Sequence, residues 1–316
     1  MNHPFDLIPS IIKPEENIYL NSPVTMNEIK GVLEAMEPDS APGPDGFTAR
    51  FFSICWSIIK IDLLKMVRYS QETNKLGGST NSSFLALIPK DKDASTFNRF
   101  RTISLCNTGY KIITKTIANR LKIILPRIIP ENQGGFIKGR KILDNIILVQ
   151  EAIHSSVLWR EKGMIIKLDL ANAFDRVRHD FLFAVMGKLG FSPTLINWIK
   201  GCVSGPWIAP LVNGHPTSFF QATRGLRQGC PLSPLLYAIQ ASLLSFQLNF
   251  CQDIHSLSGL RMTNNVWNIN HAQFADDTLL LGGANTHSAK HFNQELDLYK
   301  EVFGSKINYH KSKIFS

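Results

Sequence analysis

The sequence predicts an α+β fold in which helices cover an antiparallel sheet. Apolar residues recur at the helical period over residues 110–129 and 142–158. Strand-like apolar segments instead end at Asp169 and flank two tight-turn signals, Asn213-Gly214 and Asp276-Asp277. Strands and helices mix along the chain without an internal repeat or a low-complexity tract, and the pattern therefore indicates an α+β architecture with an antiparallel sheet.

The first 69 residues are predicted to form a helical N-terminal extension. Thr25 and Glu28 have the spacing of a capping box, and apolar residues continue at helical intervals to Met36. The motif Pro42-Gly-Pro-Asp-Gly46 cannot lie inside a helix, so it predicts a rigid turn before a second helix over residues 48–69. The polar stretch 70–83 is the best internal boundary and separates this extension from a second domain, residues 70–316.

The second domain is predicted to contain both strands and helices. Strands are expected at 84–89, 164–169, 207–212 and 217–222, and helices at 110–129, 142–158 and 234–250. A further helix has the apolar stripe Val177, Phe181, Val185 and Leu189 and is closed by Gly190. The motif Phe274-Ala-Asp-Asp277 predicts a hairpin with its two acids at the tip.

Composition is that of a globular protein. The chain has 316 residues, of which 44% are hydrophobic, and no apolar run approaches the roughly 18 residues of a membrane span. The first residues lack the pattern of a secretory signal, and five scattered cysteines argue for a reducing compartment. We therefore expect an intracellular protein, nuclear or cytoplasmic, with no membrane partner.

Basic charge is concentrated in one segment. Residues 99–141 contain ten Lys and Arg residues and a single acid, Glu131, which accounts for the whole net charge of +9. Such a segment is typical of a surface that binds a polyanion, with nucleic-acid phosphate as the first candidate. The alternative is a solvated helix face, which has the same composition.

Three aspartates are the candidate metal ligands. Asp276 and Asp277 repel each other unless a cation lies between them, and Asp169 ends another apolar strand. If the two strands are neighbours, the three carboxylates could hold two magnesium ions, roughly 3.5 to 4 Å apart, for phosphoryl transfer. A solvated Asp-Asp turn is the alternative for the adjacent pair.

Eight motifs in a fixed order resemble those of the reverse transcriptases of non-LTR (LINE-type) retrotransposons, with the plant elements the most similar. The motifs are Pro42-Gly-Pro-Asp-Gly46, Leu87-Ile-Pro-Lys90, Phe100-Arg-Thr-Ile-Ser-Leu105, Gly139-Arg140 with Asp144-Asn145, Lys167-Leu-Asp-Leu-Ala-Asn-Ala-Phe-Asp175, Gly225-Leu-Arg-Gln-Gly-Cys-Pro-Leu-Ser-Pro234, Phe274-Ala-Asp-Asp277 and Lys306-Ile-Asn-Tyr-His-Lys311. They cover most of the chain. The resemblance implies an RNA-directed DNA polymerase that adds dNTPs to a primer 3'-OH.

The resemblance also implies the catalytic and metal-binding residues. Asp169 and Asp276 would coordinate two Mg²⁺ ions, for which Mn²⁺ could substitute, with Asp277 beside them and the carbonyl of Leu170 completing the inner shell. Lys311 matches the lysine that protonates the leaving pyrophosphate. Lys306 is the alternative for that role.

Further positions match the family's substrate-binding residues. Phe174 matches the aromatic steric gate that excludes a ribose 2'-OH, and a plain core aromatic is the alternative. Arg101 and Lys90 match residues that neutralise the incoming triphosphate. Gln228 and Gly229 match the loop that contacts the nascent base pair and the template. The implied partners are an RNA template, a DNA primer and dNTPs, and the oligomeric state is left open.

The implied architecture is the fingers and palm of a right-handed polymerase. Because the sequence stops soon after Lys311, we expect the thumb to be absent. A truncated, non-catalytic nucleic-acid-binding remnant is therefore the alternative function, and a group II intron maturase relative is a third reading. Departures from the family pattern include Thr102 in place of proline and Gly134-Gly135 in place of Ser-Ala.

Overall fold

The computed structural model describes residues 4–262 and 268–316. The start of the chain, where the sequence predicts no secretory signal, therefore lies partly outside the described residues. The chain divides into two compact units. The first unit contains residues 4–12, 122–190 and the described part of 234–316, and the second contains 13–121 and 191–233. Residues 13–69 thus belong to the same unit as residues 70–121, and the domain boundary after residue 69 stays a prediction.

The α-helices of the described residues are α1 (Pro14–Asn21), α2 (Met26–Glu34), α3 (Ala49–Ile54), α4 (Trp56–Thr73), α5 (Thr108–Ile128), α6 (Ile142–Leu158), α7 (His179–Leu189), α8 (Pro193–Val203), α9 (Ser233–Asp253) and α10 (Thr286–Phe303). The strands are β1 (Ser82–Pro89), β2 (Phe100–Cys106), β3 (Gly163–Leu168), β4 (Trp207–Val212), β5 (His215–Pro216), β6 (Phe220–Gln221), β7 (Leu260–Arg261), β8 (Asn268–Ile269), β9 (His271–Phe274), β10 (Asp277–Gly283) and β11 (Lys313–Phe315). The predicted α+β class is confirmed.

The local signals at helix ends act as predicted in two places. The Thr25 side chain accepts a hydrogen bond from the Glu28 amide, and the Glu28 side chain accepts one from the Thr25 amide. The capping box at α2 is thus confirmed. Gly190 ends α7 with a φ of 97°, in the left-handed region that glycine adopts without strain.

The helix predicted over residues 48–69 needs a correction at both its middle and its end. The helix expected over residues 48–69 is interrupted at Cys55, and its second part, α4, continues to Thr73. Ser70 and Gln71 are buried there, because the Gln71 side-chain amide bonds to the backbone of residues 21–24 and the Ser70 hydroxyl accepts from the Trp198 indole. Polar composition alone indicated a loop at this point, but these side chains have buried partners.

In the first unit, four strands form an antiparallel sheet in the order β11-β3-β10-β9. Strand β10 pairs with β3 on one side and with β9 on the other. Apolar side chains of α6, Val149 and Ala152, are buried with Ala272 and Leu281 of the sheet. Helix α6 thus covers one face of the sheet, as the sequence predicts.

The second unit contains a sheet in the order β2-β1-β4-β5, with β6 also paired to β4. Strand β1 pairs with β2 in antiparallel and with β4 in parallel, so this sheet is mixed, whereas the sheet of the first unit is antiparallel. The hairpin predicted at Asn213-Gly214 is confirmed, since Val212 pairs with His215 across a two-residue loop.

Two further expectations concern cysteines and membranes. All five cysteines are free thiols, and Cys106, Cys202, Cys230 and Cys251 are buried. Within the ranges that the structure describes, no helix combines the length and the apolar character that crossing a bilayer requires.

Candidate active site

The first unit places the three aspartates at one edge of its sheet. Asp169 directly follows β3, and Asp277 is the first residue of β10. Thr278 pairs with Leu168 in the antiparallel ladder, so one further step of the same register sets Asp277 opposite Asp169. Opposite residues of an antiparallel pair project to the same face of a sheet. The sequence prediction that these two strands are neighbours is confirmed.

The acidic hairpin differs in one detail from its prediction. Phe274 pairs with Asp277, so the two-residue loop consists of Ala275 and Asp276. Only Asp276 lies at the tip, and Asp277 belongs to the strand. Ala275 has a φ of 58°, whereas φ is not positive at Asp276. This sign pattern is that of a II' turn, whose first loop residue is usually glycine. A left-handed alanine costs about 1–2 kcal/mol, so other contacts must hold this turn.

The pKa of Asp276 reports on the electrostatics around the three acids. Although Asp276 is exposed by surface area, the protein around its carboxyl desolvates it enough to raise its pKa. A hydrogen bond from its own amide acts in the opposite direction, and the negative charges of Asp277 and Asp169 raise the pKa further. A bound cation would relieve both the desolvation of the carboxylate and this repulsion.

The C-terminal segment closes the other side of Asp169. Leu170 forms an isolated antiparallel bridge with Ile307. The two backbone bonds of this bridge run from the Asn308 amide to the Asp169 carbonyl, 2.8 Å, and from the Ala171 amide to the Lys306 carbonyl, 2.8 Å. They leave the Leu170 carbonyl outside the ladder, where it could serve as a metal ligand.

Lys311 is the basic side chain nearest to Asp169. Its Nζ lies 3.9 Å from Asp169 Oδ2, and its side chain is 66% exposed. An exposed ion pair at this distance contributes little to stability, so the lysine can be displaced or recruited at little cost. Lys306 instead contributes its backbone carbonyl to the bridge described above. Among the described residues, Lys311 is thus the one of the two lysines that forms an ion pair with Asp169.

These donors fit a hard divalent cation. Carboxylates and a backbone carbonyl are the oxygen ligands that Mg²⁺ prefers, and Mg²⁺ is usually held by one or two carboxylates together with substrate phosphates. Among the described residues, no group of three or more His, Cys, Asp and Glu side chains is placed so that it could hold a metal ion. A metal site at the three aspartates therefore stays a prediction.

Phe174 lies in an aromatic stack within the first unit. Its ring is stacked on Tyr237, with centroids 4.7 Å apart and planes 14° apart, and Phe136 meets it edge-on at 6.2 Å. Tyr237 is buried, and burial raises its pKa well above the usual value, with further contributions from Tyr299, Asp276 and Asp277. The half-buried Phe174 ring is thus fixed from two sides and is partly open to solvent.

The predicted triphosphate-binding residues lie in the second unit. Arg101 pairs with Ile88 in the β1–β2 hairpin, and the Lys90 amide donates to the Arg99 carbonyl, 2.8 Å. Both Lys90 and Arg101 are exposed near the connecting loop. Arg99 next to them is paired with Asp91 at 2.7 Å.

Gln228 and Gly229 pack on the same hairpin. The Ser104 amide of β2 donates to the Gln228 carbonyl, 2.6 Å. Gly229 has a φ of 111°, and a Cβ there would lie 2.6 Å from the Ser104 carbonyl oxygen. Only glycine permits this approach. The structure therefore brings Gln228, Gly229 and the strand of Arg101 together in the second unit, whereas the three aspartates belong to the first.

The basic segment is less of a surface than its composition suggests. Six of its ten basic side chains bond to protein groups: Arg99, Lys111, Lys115, Arg120, Arg127 and Arg140. Arg120 is 2% exposed and binds Glu28 together with two backbone carbonyls. The sequence gives the correct number of basic residues in the segment, but it does not show which of their side chains are bound to other groups of the protein.

Sequence reasoning missed Gln133, which is buried and bonds to the Ala275 backbone. The one signal in the sequence was the Gly134-Gly135 pair next to it, which departs from the family pattern.

Comparison with known proteins places this site in a family. The family described as reverse transcriptase (RNA-dependent DNA polymerase) matches residues 88–316. The chain is 29% identical over 296 residues to the transposon TX1 uncharacterized 149 kDa protein of Xenopus laevis, covering 93% of this chain and 22% of that protein. It is 28% identical over 265 residues to the retrovirus-related Pol polyprotein from the type-1 retrotransposable element R2 of Popillia japonica, covering 82% of this chain and 35% of the relative.

A third relative is named for its activity. The chain is 24% identical over 246 residues to the RNA-directed DNA polymerase from mobile element jockey of Drosophila funebris, covering 75% of this chain and 26% of the relative. The chain thus spans between 22% and 35% of the length of these three proteins.

Proposed function

This chain belongs to the reverse transcriptase (RNA-dependent DNA polymerase) family, and from this premise we propose that it is an RNA-directed DNA polymerase of a non-LTR retrotransposon. Reverse transcriptases bind an RNA template, a primer and dNTPs, and they generally use divalent metal ions. The same partners and cofactor are proposed here. The observation that supports the proposal most strongly is the register that sets Asp277 opposite Asp169, with Asp276 at the adjoining tip.

The proposed metal ligands are the carboxylates of Asp169, Asp276 and Asp277 with the carbonyl of Leu170. When bound there, two Mg²⁺ ions would activate the primer 3'-OH and stabilise the leaving pyrophosphate. Lys311, 3.9 Å from Asp169, would hold the proton that the pyrophosphate receives. The paired strands fix the positions of the acids before the substrate arrives.

Nucleotide recognition is proposed for five further residues. Arg101 and Lys90 would neutralise the triphosphate, and Gln228 and Gly229 would contact the nascent base pair and template. Phe174, fixed by its stack on Tyr237, would pack under the sugar. In terms of the polymerase hand, we assign the β11-β3-β10-β9 sheet to the palm and the β1–β2 hairpin to the fingers. Both would lie in a reverse transcriptase domain over residues 70–316, preceded by a helical extension over 1–69.

Magnesium-dependent extension of oligo(dT) on poly(rA) tests the activity. We expect the wild type to extend the primer and Asp276→Asn to be at least about 10³-fold slower, because several kcal/mol of transition-state stabilisation depend on the metal. Asp62→Asn, an exposed acid of α4 paired only with Lys65, is the control and should match the wild type. If the wild type is no faster than Asp276→Asn yet binds primer-template with an affinity that falls as salt rises, the chain is a nucleic-acid-binding remnant instead.

Thermal unfolding tests the metal site without activity. The raised pKa of Asp276 means that its carboxyl favours folding while protonated and disfavours folding once the pH has risen through the folded-state pKa. In EDTA at pH 7.5, Asp276→Asn should therefore melt above the wild type. Magnesium should raise the Tm of the wild type and leave that of the variant unchanged. Equal shifts in both proteins would exclude Asp276 as a ligand.

Nucleotide selectivity tests the role of Phe174. We expect Phe174→Val to lower the ratio of kcat/KM for dTTP to that for UTP by roughly 10- to 200-fold, the usual effect of enlarging a steric pocket. Tyr237→Phe, which keeps the stacking ring, is the control and should keep the wild-type ratio. An unchanged ratio in Phe174→Val would mean that Phe174 is a core aromatic.

A further inference from the structure

A single buried side chain binds the backbone of the acidic turn. Gln133 is 0% exposed. Its Oε1 accepts hydrogen bonds from the amide of Ala275, 3.0 Å, and from the amide of Gly135, 2.8 Å, while its Nε2 donates to the Ala275 carbonyl, 3.2 Å. Both backbone polar groups of the first loop residue are thus bound by one side-chain amide.

The backbone around Gln133 extends the sheet of the first unit. Gln133 forms a parallel bridge with Gln273 of β9. The Gln273 amide donates to the Asn132 carbonyl, 2.7 Å, and the Gly134 amide donates to the Gln273 carbonyl, 2.8 Å. The Asn145 side chain donates to that same carbonyl at 2.7 Å. Residues 132–134 therefore lie against the outer edge of β9, and this sets the direction from which Gln133 reaches the turn.

Arg140 binds the backbone of Gln133 and of the residues before it. Its Nη1 donates to the carbonyls of Gln133, 2.7 Å, and Pro130, 2.6 Å, and its Nη2 donates to those of Ile129, 2.7 Å, and Pro126, 2.9 Å. These four bonds use the donors of both Nη groups, so only the Nε–H is left and the guanidinium cannot bind a phosphate through two parallel hydrogen bonds. Arg140 belongs to the basic segment, but its contacts are those of an internal brace.

Gly135 lies so close to the acidic turn that no side chain fits between the two backbones. A Cβ at Gly135 would lie 2.1 Å from the Ala275 nitrogen and 2.8 Å from its Cα. The neighbouring atoms are backbone, so they cannot rotate away as a flexible side chain would. The approach of the two backbones, which brings the Ala275 amide within reach of Gln133, thus requires glycine.

We propose that Gln133 is a positioning residue that clamps the Ala275 backbone and thereby sets the place of the Asp276 carboxylate. The inference rests on the proposed polymerase function for its kinetic consequence only. Ala275 has no side chain that could hold its own left-handed conformation, as Asn or Asp can. The hydrogen bonds with Gln133 stabilise this conformation instead. A displacement of about 1 Å at a catalytic group can lower a rate by roughly 100-fold.

Gln133→Met tests the clamp, because methionine keeps the volume and removes all three hydrogen bonds. The matched control is Gln71→Met in the second unit. Gln71 is also buried, and its amide likewise bonds backbone groups, namely the Val24 amide and the carbonyls of Asn21 and Ser22. Both variants lose similar contacts, but only one of them touches the acidic turn.

Two measurements follow on these variants. In hydrogen exchange, the amide of Ala275 should exchange at least about tenfold faster in Gln133→Met than in the wild type, and at the wild-type rate in Gln71→Met. In primer extension, kcat of Gln133→Met should fall by about 10- to 100-fold while KM for dNTP changes less than about threefold. Gln71→Met should keep the wild-type kcat at a temperature where both variants are folded.

The clamp also predicts a rescue. Glycine adopts positive φ without strain, so Ala275→Gly lessens the need for the hold. In that background, Gln133→Met should lose at least about threefold less in kcat than it loses in the wild-type background. Should Gln133→Met not fold, Gln133→Glu carries the same kinetic test, because it keeps the shape but sets an oxygen against the Ala275 carbonyl.

Several outcomes overturn the proposal. Unchanged exchange at Ala275, an unchanged kcat in a folded Gln133 variant, or an equal loss of kcat in Gln71→Met would each show that Gln133 does not position the turn. If the wild type itself fails to extend a primer, the polymerase function fails, and the exchange rate of Ala275 still decides the clamp.

Discussion

Two tight hairpins of equal loop length are built in different ways. Asn213 and Gly214 connect β4 to β5 with φ angles of 51° and 81°. Ala275 and Asp276 connect β9 to β10, with a φ of 58° at Ala275. The first pair are the residues that a type I' turn selects, because asparagine and glycine tolerate positive φ. In the second pair, alanine occupies a position where glycine is usual.

The difference shows where each turn gets its conformation. The Asn213-Gly214 turn is specified by its own two residues. The Ala275-Asp276 turn depends on Gln133, which is 142 residues away in the sequence. A turn that carries a proposed metal ligand is thus fixed by tertiary contacts, and a turn with no proposed role in the chemistry is fixed locally. Contacts of this kind can hold a carboxylate in one place more tightly than local preference can.

The largest expected effect comes from Gly135→Ala, which separates the acidic turn from the segment that holds it. Its Cβ would overlap the Ala275 backbone at 2.1 Å, so we expect a loss of about 3 kcal/mol in the free energy of unfolding. Urea denaturation measures the loss. The control is Gly31→Ala in α2, where a Cβ meets nothing within 4 Å and alanine is the better helix former. A Gly135→Ala variant as stable as the wild type would show that the two backbones can move apart freely.

Much of the sheet that carries the acids was predictable from sequence. Apolar runs that end in acids predict the strand before Asp169 and the hairpin at Asp276. They also suggest that these two strands lie side by side. These signals are local, and a divalent-metal site needs acids at strand ends that meet. The Asn213-Gly214 hairpin was predictable for the same reason, since two residues determine it.

The support of the site was not predictable from sequence. Apart from the adjacent Gly134-Gly135 pair, nothing local distinguishes Gln133 from a surface glutamine, because its importance comes from a bridge to β9. Arg140 and Arg120 raised the count of basic residues, yet both are bound to internal acceptors. The parallel pairing of β1 with β4 joins segments more than 100 residues apart and has no local signature. In each case the deciding partner is remote in sequence.

Acidification should act on the side of the acidic turn, because a buried histidine begins the strand that leads into it. His271 begins β9 and is buried, with Ser245 Oγ 2.8 Å from its Nε2 and Asn270 Oδ1 against its Nδ1. Burial lowers its pKa to about 3. The histidine of the unfolded chain binds a proton near pH 6.5, whereas that of the folded chain does not. The free energy of unfolding therefore decreases as the pH falls from 6.5 towards 3. At pH 5 the loss relative to pH 7.5 should be about 2 kcal/mol.

Urea denaturation at the two pH values checks this prediction in His271→Gln. The variant should be less stable at pH 7.5 but should lose about 2 kcal/mol less between pH 7.5 and pH 5 than the wild type does. His154→Gln, at an exposed position of α6, should keep the full pH dependence. If His271→Gln retains that dependence as well, His271 does not titrate as its burial implies.

A smaller effect is expected at the locally specified turn. Gly214→Ala adds a Cβ that meets nothing within 4 Å, so its cost comes only from a φ of 81° and should be about 1 kcal/mol. The Tm should fall by about 2–4 °C and primer extension should stay within about twofold of the wild type. A loss of activity much beyond this would mean that the β4–β5 hairpin takes part in the reaction.

The smallest effect, and the one that tests the comparison most directly, belongs to Ala275→Gly. Glycine removes the strain of a left-handed alanine, about 1–2 kcal/mol, but it also gives the unfolded chain more freedom, worth about 0.4–1 kcal/mol. The free energy of unfolding should therefore rise by about 0.5 kcal/mol, with the clamp intact. A clear destabilisation in urea denaturation would mean that Ala275 is not strained, and that the turn conformation is its own. If stability rises while kcat falls slightly, the alanine is retained because it makes the turn that carries Asp276 more rigid. The side chain that strains the loop also reduces the number of other conformations that the loop can adopt.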